Sequence, residues 1–449
     1  MGTKINKEFI QRIEQLISAN DDKALLVLLA EEHPADIAEI IDILNLNNAT
    51  YLFKLLDSEQ TAEALLEIDD DDREKILRNL SAEEIAEEID ELETDDAADI
   101  IAELPSNRKK EVISEIEDVD HAKDIVDLLQ YEEGTAGSLM AKELVKVKET
   151  WGIPTCVRKM RSQAQEVTRV HSIYVVDKDN ILKGRLSLKD LLIASEKAHI
   201  SDIYIPKVDS VNVNDPVEDV ARIMQKYDLE AIPVVDDAQC LQGRVTIDDI
   251  VDHIKDEAEK DYQMAAGLTD DVEADDSIFE LTKARLPWLV LGLFGGLGAA
   301  SIMGGFEDAL VKFPELFFFT PLIAAMAGNV GVQSSAIIVQ GLANDNIKGS
   351  MFNRMLKEIG LSLVNGIILA GLIFVFGLFL NYNTNISITI AISLVIVIII
   401  ASLIGTFVPL ILDKKGIDPA VATGPFITTS NDIFGIFIFF YIAKLILGF

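Results

Sequence analysis

The chain has 449 residues, 49% hydrophobic and 25% charged, and its 75 Asp+Glu against 39 Lys+Arg leave a formal net charge of −36. Beyond residue 284 there are 8 basic and 8 acidic residues, so the whole excess lies in the first 284. A phosphate backbone needs clustered Lys/Arg that this acidic half lacks, which excludes nucleic acid as a partner and favours cations.

A length near 450 accommodates roughly two to four domains. Cys156 and Cys240 form no C-x-x-C pair, so neither a disulfide framework nor a zinc knuckle is expected. The five histidines are scattered and read as surface or capping residues. The opening MGTKINKEFIQRIEQL has no apolar run of signal-peptide type. A single helix is expected over 1–24, and membrane insertion is assigned to the C-terminal half.

Residues 25–130 are helical in composition and carry a recurring pattern. Asp36-Ile-Ala-Glu-x-Ile-Asp-x-Leu44 returns as Glu84-Ile-Ala-Glu-x-Ile-Asp-x-Leu92 and as Asp96-Ala-Ala-Asp-x-Ile-x-x-Leu104. Repeated short amphipathic helices predict an all-α superhelical domain. Its acidic runs, Asp69 to Asp72, Glu83 to Asp90 and Asp95, Asp96, Asp99, are solvated faces or cation sites.

A second repeat spans 138–255. Val175-Val176-Asp177 followed by ILKGRLSLKDLL aligns with Val234-Val235-Asp236 followed by CLQGRVTIDDIV at an offset of 59. Each copy reads as strand, turn, strand and a helix capped by Ser187 or Thr246, with a further helix upstream near 155–162 or 216–227. This α/β pattern resembles a tandem pair of CBS domains, expected over 131–200 and 201–255. Such pairs often bind adenosine nucleotides. The resemblance implies a ribose held by Ser187 and Asp190, with Lys189 beside them, or by Thr246 and Asp249; a plain helix cap is the alternative.

A connecting helix is expected over 256–284. Asp248, Asp249, Asp252, Asp256, Glu257, Glu259 and Asp261, then Asp270, Asp271, Glu273, Asp275 and Asp276, make the segment leading to it densely acidic. Asp249, Asp252 and Asp256 at i, i+3, i+7 share one helical face, as do Asp95 and Asp99 at i, i+4. Like charges so placed destabilise a helix unless neutralised, and a hard divalent cation with oxygen ligands would do that.

Five apolar stretches of spanning length follow within 285–449: about 287–303, 316–342, 359–380, 387–411 and 420–447. Placing the acidic half in the cytoplasm puts Lys283, Arg285, Lys348, Arg354, Lys357, Lys414 and Lys415 there too, against Lys312 and Lys444 outside. By the positive-inside rule the N-terminus is expected inside and the C-terminus outside. The second span, PLIAAMAGNVGVQ, and the fifth, DPAVATGP followed by SND, carry polar residues at depth. An intramembrane carboxylate such as Asp432 is expensive and marks function unless it is a hydrogen-bonded structural group, while the glycines suit a pore or a helix-packing surface.

An acidic helical domain, a CBS pair, an acidic connecting helix and five spans with these two motifs resemble the MgtE family of magnesium transporters and channels over essentially the full length. The resemblance implies a homodimer in the plasma membrane, with a pore on the two-fold axis and gating by cytosolic Mg2+. It implies a pore site at Asp432, with Asn329, Gly328 and Gly331 nearby and Asp418 and Glu358 at the cytoplasmic mouth. It implies sensing positions at Asp95, Asp99, Gly137, Glu218, Asp228, Asp249, Asp252, Asp256, Glu257 and Asp261, and ATP as the ligand of the CBS pair. The expected function is Mg2+ uptake closed by cytosolic Mg2+; a CBS-regulated transporter of another divalent ion such as Mn2+ or Co2+ is the alternative, because oxygen ligands suit these ions alike. No nucleophile–base pair or P-loop points to an enzyme.

Overall fold

The computed structural model describes residues 5–165, 167, 169–269, 272, 274, 276–343, 347, 350–422 and 424–449, apart from the side chains of Asp71, Leu310 and Ala422. Asp270, Asp271, Glu273 and Asp275 of the acidic linker, together with Asp345 and Lys348, lie outside the described residues. The chain divides into two compact units, Met1–Ile254 and Lys255–Phe449.

In the first unit the helix expected over 1–24 is two, α1 (Lys7–Ser18) and α2 (Asp22–Leu29). Asn20 takes a left-handed φ of 50°, and the Asp21 side chain accepts from the Ala24 N–H at 3.2 Å. One short polar pair therefore ends a helix and caps the next. Eight more helices follow: α3 (Pro34–Ile43), α4 (Leu46–Leu55), α5 (Ser58–Glu67), α6 (Asp70–Asn79), α7 (Ala82–Ile89), α8 (Thr94–Glu103), α9 (Ser106–Glu115) and α10 (Val119–Leu128). From α3 to α9 they start every 12 residues. Buried Leu44, Leu56, Ile68, Leu80, Leu92, Leu104, Ile116 and Leu128 recur at the same interval. Leu44, Leu56, Ile68, Leu104 and Ile116 end their helices in extended backbone, turning the chain while plugging the core. The motif offsets of 48 and 12 are multiples of this period. Helices α3, α5, α7 and α9 pack in succession, as do α4 with α6 and α8 with α10, which is the nearest-neighbour packing of a helical stack.

Two small sheets follow. The first has β1 (Val145–Lys148), α11 (Ile153–Gln163), β2 (Ile173–Val176), β3 (Leu182–Leu186), α12 (Leu188–Ile193) and β4 (Ile205–Pro206); the second has β5 (Val211–Asn212), α13 (Val217–Tyr227), β6 (Ala231–Val235), β7 (Leu241–Thr246) and α14 (Ile247–Ala266). In each, the first strand pairs parallel with the second and the second antiparallel with the third. The register shifts at Val175/Val176 and at Val234/Val235, the same place under the 59-residue offset. The copies exchange backbone hydrogen bonds, Leu182 N to Gln239 O and Leu241 N to Asn180 O, both 3.0 Å. The repeat is therefore a pseudo-two-fold pair.

The segment before β1 crosses to the other copy: Gly137 N donates to Val213 O and Ala141 N to Arg244 O, each at 2.8 Å. The second sheet shares a continuous apolar core with the helical stack, running from Ile10 to Leu128 and on through Val217, Met224, Val234 and Val245. The first sheet has a core of its own.

Helix α14 begins and ends earlier than the connecting helix expected over 256–284, because it follows β7 without a break. It ends at Gly267, where φ is 87°. The second unit then contains α15 (Ile278–Gly304), the short α16 (Glu307–Lys312), α17 (Pro314–Ala343), α18 (Met351–Phe379), α19 (Thr384–Lys414) and α20 (Gly424–Leu447). Five of these are long and apolar enough to cross a membrane. The first starts at Ile278 rather than near Pro287: Ser277 and Glu280 form a capping box, and Glu280, Lys283 and Arg285 keep its first turns too polar to register as a span. Helix α19 is the most enclosed, packed by α17, α18 and α20, while α15 lies against α20.

Candidate metal-transport and sensing sites

Asp432 is half-buried on α20 and faces Gly328 of α17: a Cβ at Gly328 would fall 3.8 Å from Asp432 Oδ1 and 3.2 Å from Thr428 Cγ2. The missing side chain lets the carboxylate approach the α17 backbone. Gly331 serves a different contact. A Cβ there would overlap the Asn431 amide and lie 2.8 Å from Ile427 Cγ2, and a Cβ at Gly405 of α19 would overlap the Gly331 backbone. Three helices thus cross where only glycine fits. Asn329 is exposed on the bundle surface.

Glu358 lies inside α18 rather than ahead of the third span, and its Oε1 accepts from Ser334 Oγ of α17 at 2.6 Å. Asp418 is exposed just after α19 and accepts from Ala420 N at 2.7 Å. It lies near Asp261 of α14, whose carboxyl is raised above the ordinary range by burial, then by Asp418 and Glu257. The end of α14 meets the start of α20 closely: a Cβ at Gly267 would overlap the Pro425 ring, and one at Gly424, with φ 48°, would overlap Ala265 O. Thr269 donates to Ala284 O at 3.1 Å through both its N–H and its hydroxyl. The connecting helix is therefore anchored to two of the spans.

The carboxylates of the first unit gather at the first turns of α8 and α14. Asp95 is 7% exposed and is held well above the carboxylate range by burial, then by Asp96, Asp249, Glu93 and Glu143. Burial, with Asp249 next, pushes Asp96 to about 7. Asp99 is pushed to about 6 by burial, then Glu103 and Asp249. Asp249 is raised by burial against the hydrogen bonds it accepts from Thr246. Arg244 Nη2 pairs with Glu93 Oε2 at 2.7 Å, and Thr94 Oγ1 donates to Glu143 Oε2 at 2.7 Å. Among the described residues no three His, Cys, Asp or Glu side chains form a ready-made metal cage.

Asp95, Asp99 and Asp249 are thus brought together, and Asp96, Glu93 and Glu143 join them without having been singled out as sensor positions. For Glu93 and Asp96 the sequence signal was only that of an acidic helix start, and Glu143, outside any helix, gave none. Glu218, Asp228, Asp252 and Asp256 are exposed, with Asp228 ending α13 at a left-handed φ of 50°. Glu257 and Asp261 lie further along α14. Gly137 has a packing reason: a Cβ there would lie 2.8 Å from Val213 O and 2.7 Å from Tyr131 Cγ.

Neither hydroxyl of the CBS repeat caps its helix as expected. Ser187 occupies the N-cap of α12 without a side-chain cap hydrogen bond. Thr246 instead donates from its hydroxyl (2.6 Å) and N–H (3.1 Å) to Asp249 Oδ2, because the carboxylate three residues on is the better acceptor.

The domain order is matched by family models in the same sequence: the MgtE intracellular N domain over 32–134, CBS domains over 136–197 and 200–256, and the divalent cation transporter domain over 320–442. The magnesium transporter MgtE of Enterococcus faecalis is 37% identical over 72% of this chain and 71% of its own length. The chain belongs to the MgtE family. The MgtE proteins of Bacillus subtilis and Thermus thermophilus are 34% and 33% identical, over 70% and 72% of this chain and the same shares of their own. Two solved structures resemble the first part of the chain: the soluble part of a magnesium transporter (29% identity, TM-score 0.51, covering 56% of this chain and 99% of that one) and the cytosolic domain of the Mg2+ channel MgtE in complex with ATP (32%, 0.51, 54% and 99%). As an MgtE-family member this is a multi-pass membrane protein of divalent-cation transport.

Proposed function

We propose that the chain imports Mg2+ through a pore at a homodimer interface and that cytosolic Mg2+ closes it. The observation that carries the reading is Asp432, half-buried on α20 against the bare backbone at Gly328. Magnesium sheds water reluctantly, so a carboxylate gripping the ion through its waters suits a pore. The exposure of Asn329 supports a second protomer facing α17. So do Leu188 with Ile247 and Leu192 with Val251, exposed apolar pairs equivalent under the 59-residue offset. The cytosolic half lies inside and the C-terminus outside, by the Lys/Arg bias.

Sensing follows from repulsion. Two unit charges ~4 Å apart near a protein surface repel by roughly 4 kcal/mol, so the α8 and α14 carboxylates separate unless a cation bridges them. Bound Mg2+ holds the helical stack to the second CBS repeat and, through α14, biases the spans toward closure. Asp252, Asp256, Glu257 and Asp261 extend the acidic surface along α14, and Glu218 and Asp228 extend it on the second CBS repeat. Ser187, Lys189 and Asp190 are the candidate ATP contacts, Ser187 making no cap hydrogen bond. Purified protein in liposomes tests the reading: Asp432→Ala is expected to lower Mg2+ influx at least tenfold, and unchanged influx refutes the pore assignment. Parallel Mn2+ and Co2+ influx decides whether Mg2+ is the preferred ion.

A further inference from the structure

The basic residues at one end of the membrane bundle, which the proposed function uses for orientation alone, form a surface of their own. Helices α18 and α19 are antiparallel neighbours, and three contacts set their register: Gly377 against Ser387, Gly366 against Val395, and the Ser362–Ser402 hydroxyl pair. At 1.5 Å per residue this register puts Arg354 about 6 Å, and Lys357 about 10 Å, below Lys414 along the bundle axis. Lys415 follows Lys414 at the end of α19. Lys357, Lys414 and Lys415 are exposed and Arg354 is half-buried. Among the described residues, none of the four is in an ion pair. Among the described residues the carboxylates nearest in sequence are Asp413 beside Lys414, Asp418, which accepts from Ala420 N, and Glu358, which is held by Ser334.

Below this basic end α18 exposes Leu356, Leu361, Val364, Ile367 and Ile368 along its length. Its main packing partner is α19 and it packs little against α20, so on the proposed homodimer reading a second protomer meeting the α17/α20 face leaves this surface uncovered. Apolar length below and unpaired cations above are complementary to an acyl chain and an anionic headgroup. We propose that the α18/α19 end binds an anionic phospholipid, with Arg354, Lys357, Lys414 and Lys415 around its phosphate.

The full-length protein in neutral detergent is titrated with phosphatidylglycerol or phosphatidylcholine while bound lipid is counted by native mass spectrometry and thermal unfolding is followed. Phosphatidylglycerol is expected to bind and to raise the unfolding midpoint above the phosphatidylcholine value. A basic group near an anionic surface is worth about fivefold in affinity, so Lys414→Gln/Lys415→Gln should weaken that binding on the order of tenfold or more. R354Q/K357Q/K414Q/K415Q should abolish the preference; if that variant does not fold, the exposed double variant decides alone. Equal lipid response in variant and wild type overturns the proposal. So does an equal shift from phosphatidylcholine, or from glycerol phosphate alone, which would mean a soluble-phosphate site.

Discussion

Asp96 of α8 and Asp249 of α14 face each other across the seam between the helical stack and the second CBS repeat, and after burial the Asp249 charge is the strongest influence holding the Asp96 carboxyl protonated to about pH 7. A stack and a repeat that share one apolar core are thereby set against each other by charge at its edge. Burial fixes the two surfaces in place, and the carboxylates oppose it.

The pH dependence of stability follows. Asp99, Asp96 and Glu88 have folded values of about 6, 7 and 8, all raised above their ordinary ones, Glu88 by burial against Thr61. A carboxyl raised on folding binds its proton more tightly in the folded state, so stability is highest at low pH and declines as pH rises through the raised values. Without divalent cations, the first unit's transition in thermal unfolding of the full chain should fall from roughly pH 4 to pH 8. Millimolar Mg2+ should flatten the upper part of that slope, and a flat profile in both conditions contradicts the assignment.

Asp96→Asn removes one of the opposed charges. At pH 8 without Mg2+ it should stabilise the first unit by about 1 kcal/mol or more, a rise of about 2–4 °C for a unit of this size. The same variant should gain less from added Mg2+ than wild type. Calorimetry with and without Mg2+ measures both changes, and destabilisation in the absence of Mg2+ would contradict the repulsion.

The glycine crossing in the membrane predicts a pattern of rescue. Gly405→Ala drives a methyl into the Gly331 backbone and should cost at least 1–3 kcal/mol, with no side chain to yield. Gly331→Ala instead meets the end of Asn431, so Gly331→Ala/Asn431→Ala should recover most of the folded yield lost by Gly331→Ala alone. Monodisperse protein recovered in detergent is the measure, and equal loss in single and double variants would mean that Ile427 is the obstacle.

The 12-residue period makes a prediction for the stack. Leu80→Ala removes a 4% exposed side chain from a repeated core position and should cost about 2–5 kcal/mol, whereas Val27→Ala, at 82% exposure, should change stability by under about 0.5 kcal/mol. Denaturant unfolding of the first unit separates them.

Much of this architecture was legible in order along the chain. The 59-residue repeat carried the CBS pair, because strand alternation and turn residues are local, while the matching register shifts appear in the structure. The five spans were legible from apolar length, although the start of α15 was hidden by Glu280, Lys283 and Arg285. The division at Asn20 was missed, since one left-handed residue and a short cap leave little trace in composition. The role of Gly331 was legible only as a choice between pore and packing, and contacts from two other helices place it in packing.

The net charge of −36 and its confinement to the first 284 residues are properties of sequence alone, as are the helical period and the depth of Asp432 within an apolar run. Which carboxylates act on one another was decided by tertiary structure. Asp95 and Asp96 lie some 150 residues from Asp249 in sequence, and only the shared core of the stack and the second CBS repeat brings their helix starts together. Spacing along one helix fixes a face, but the partner of that face is set by packing, which no local pattern encodes.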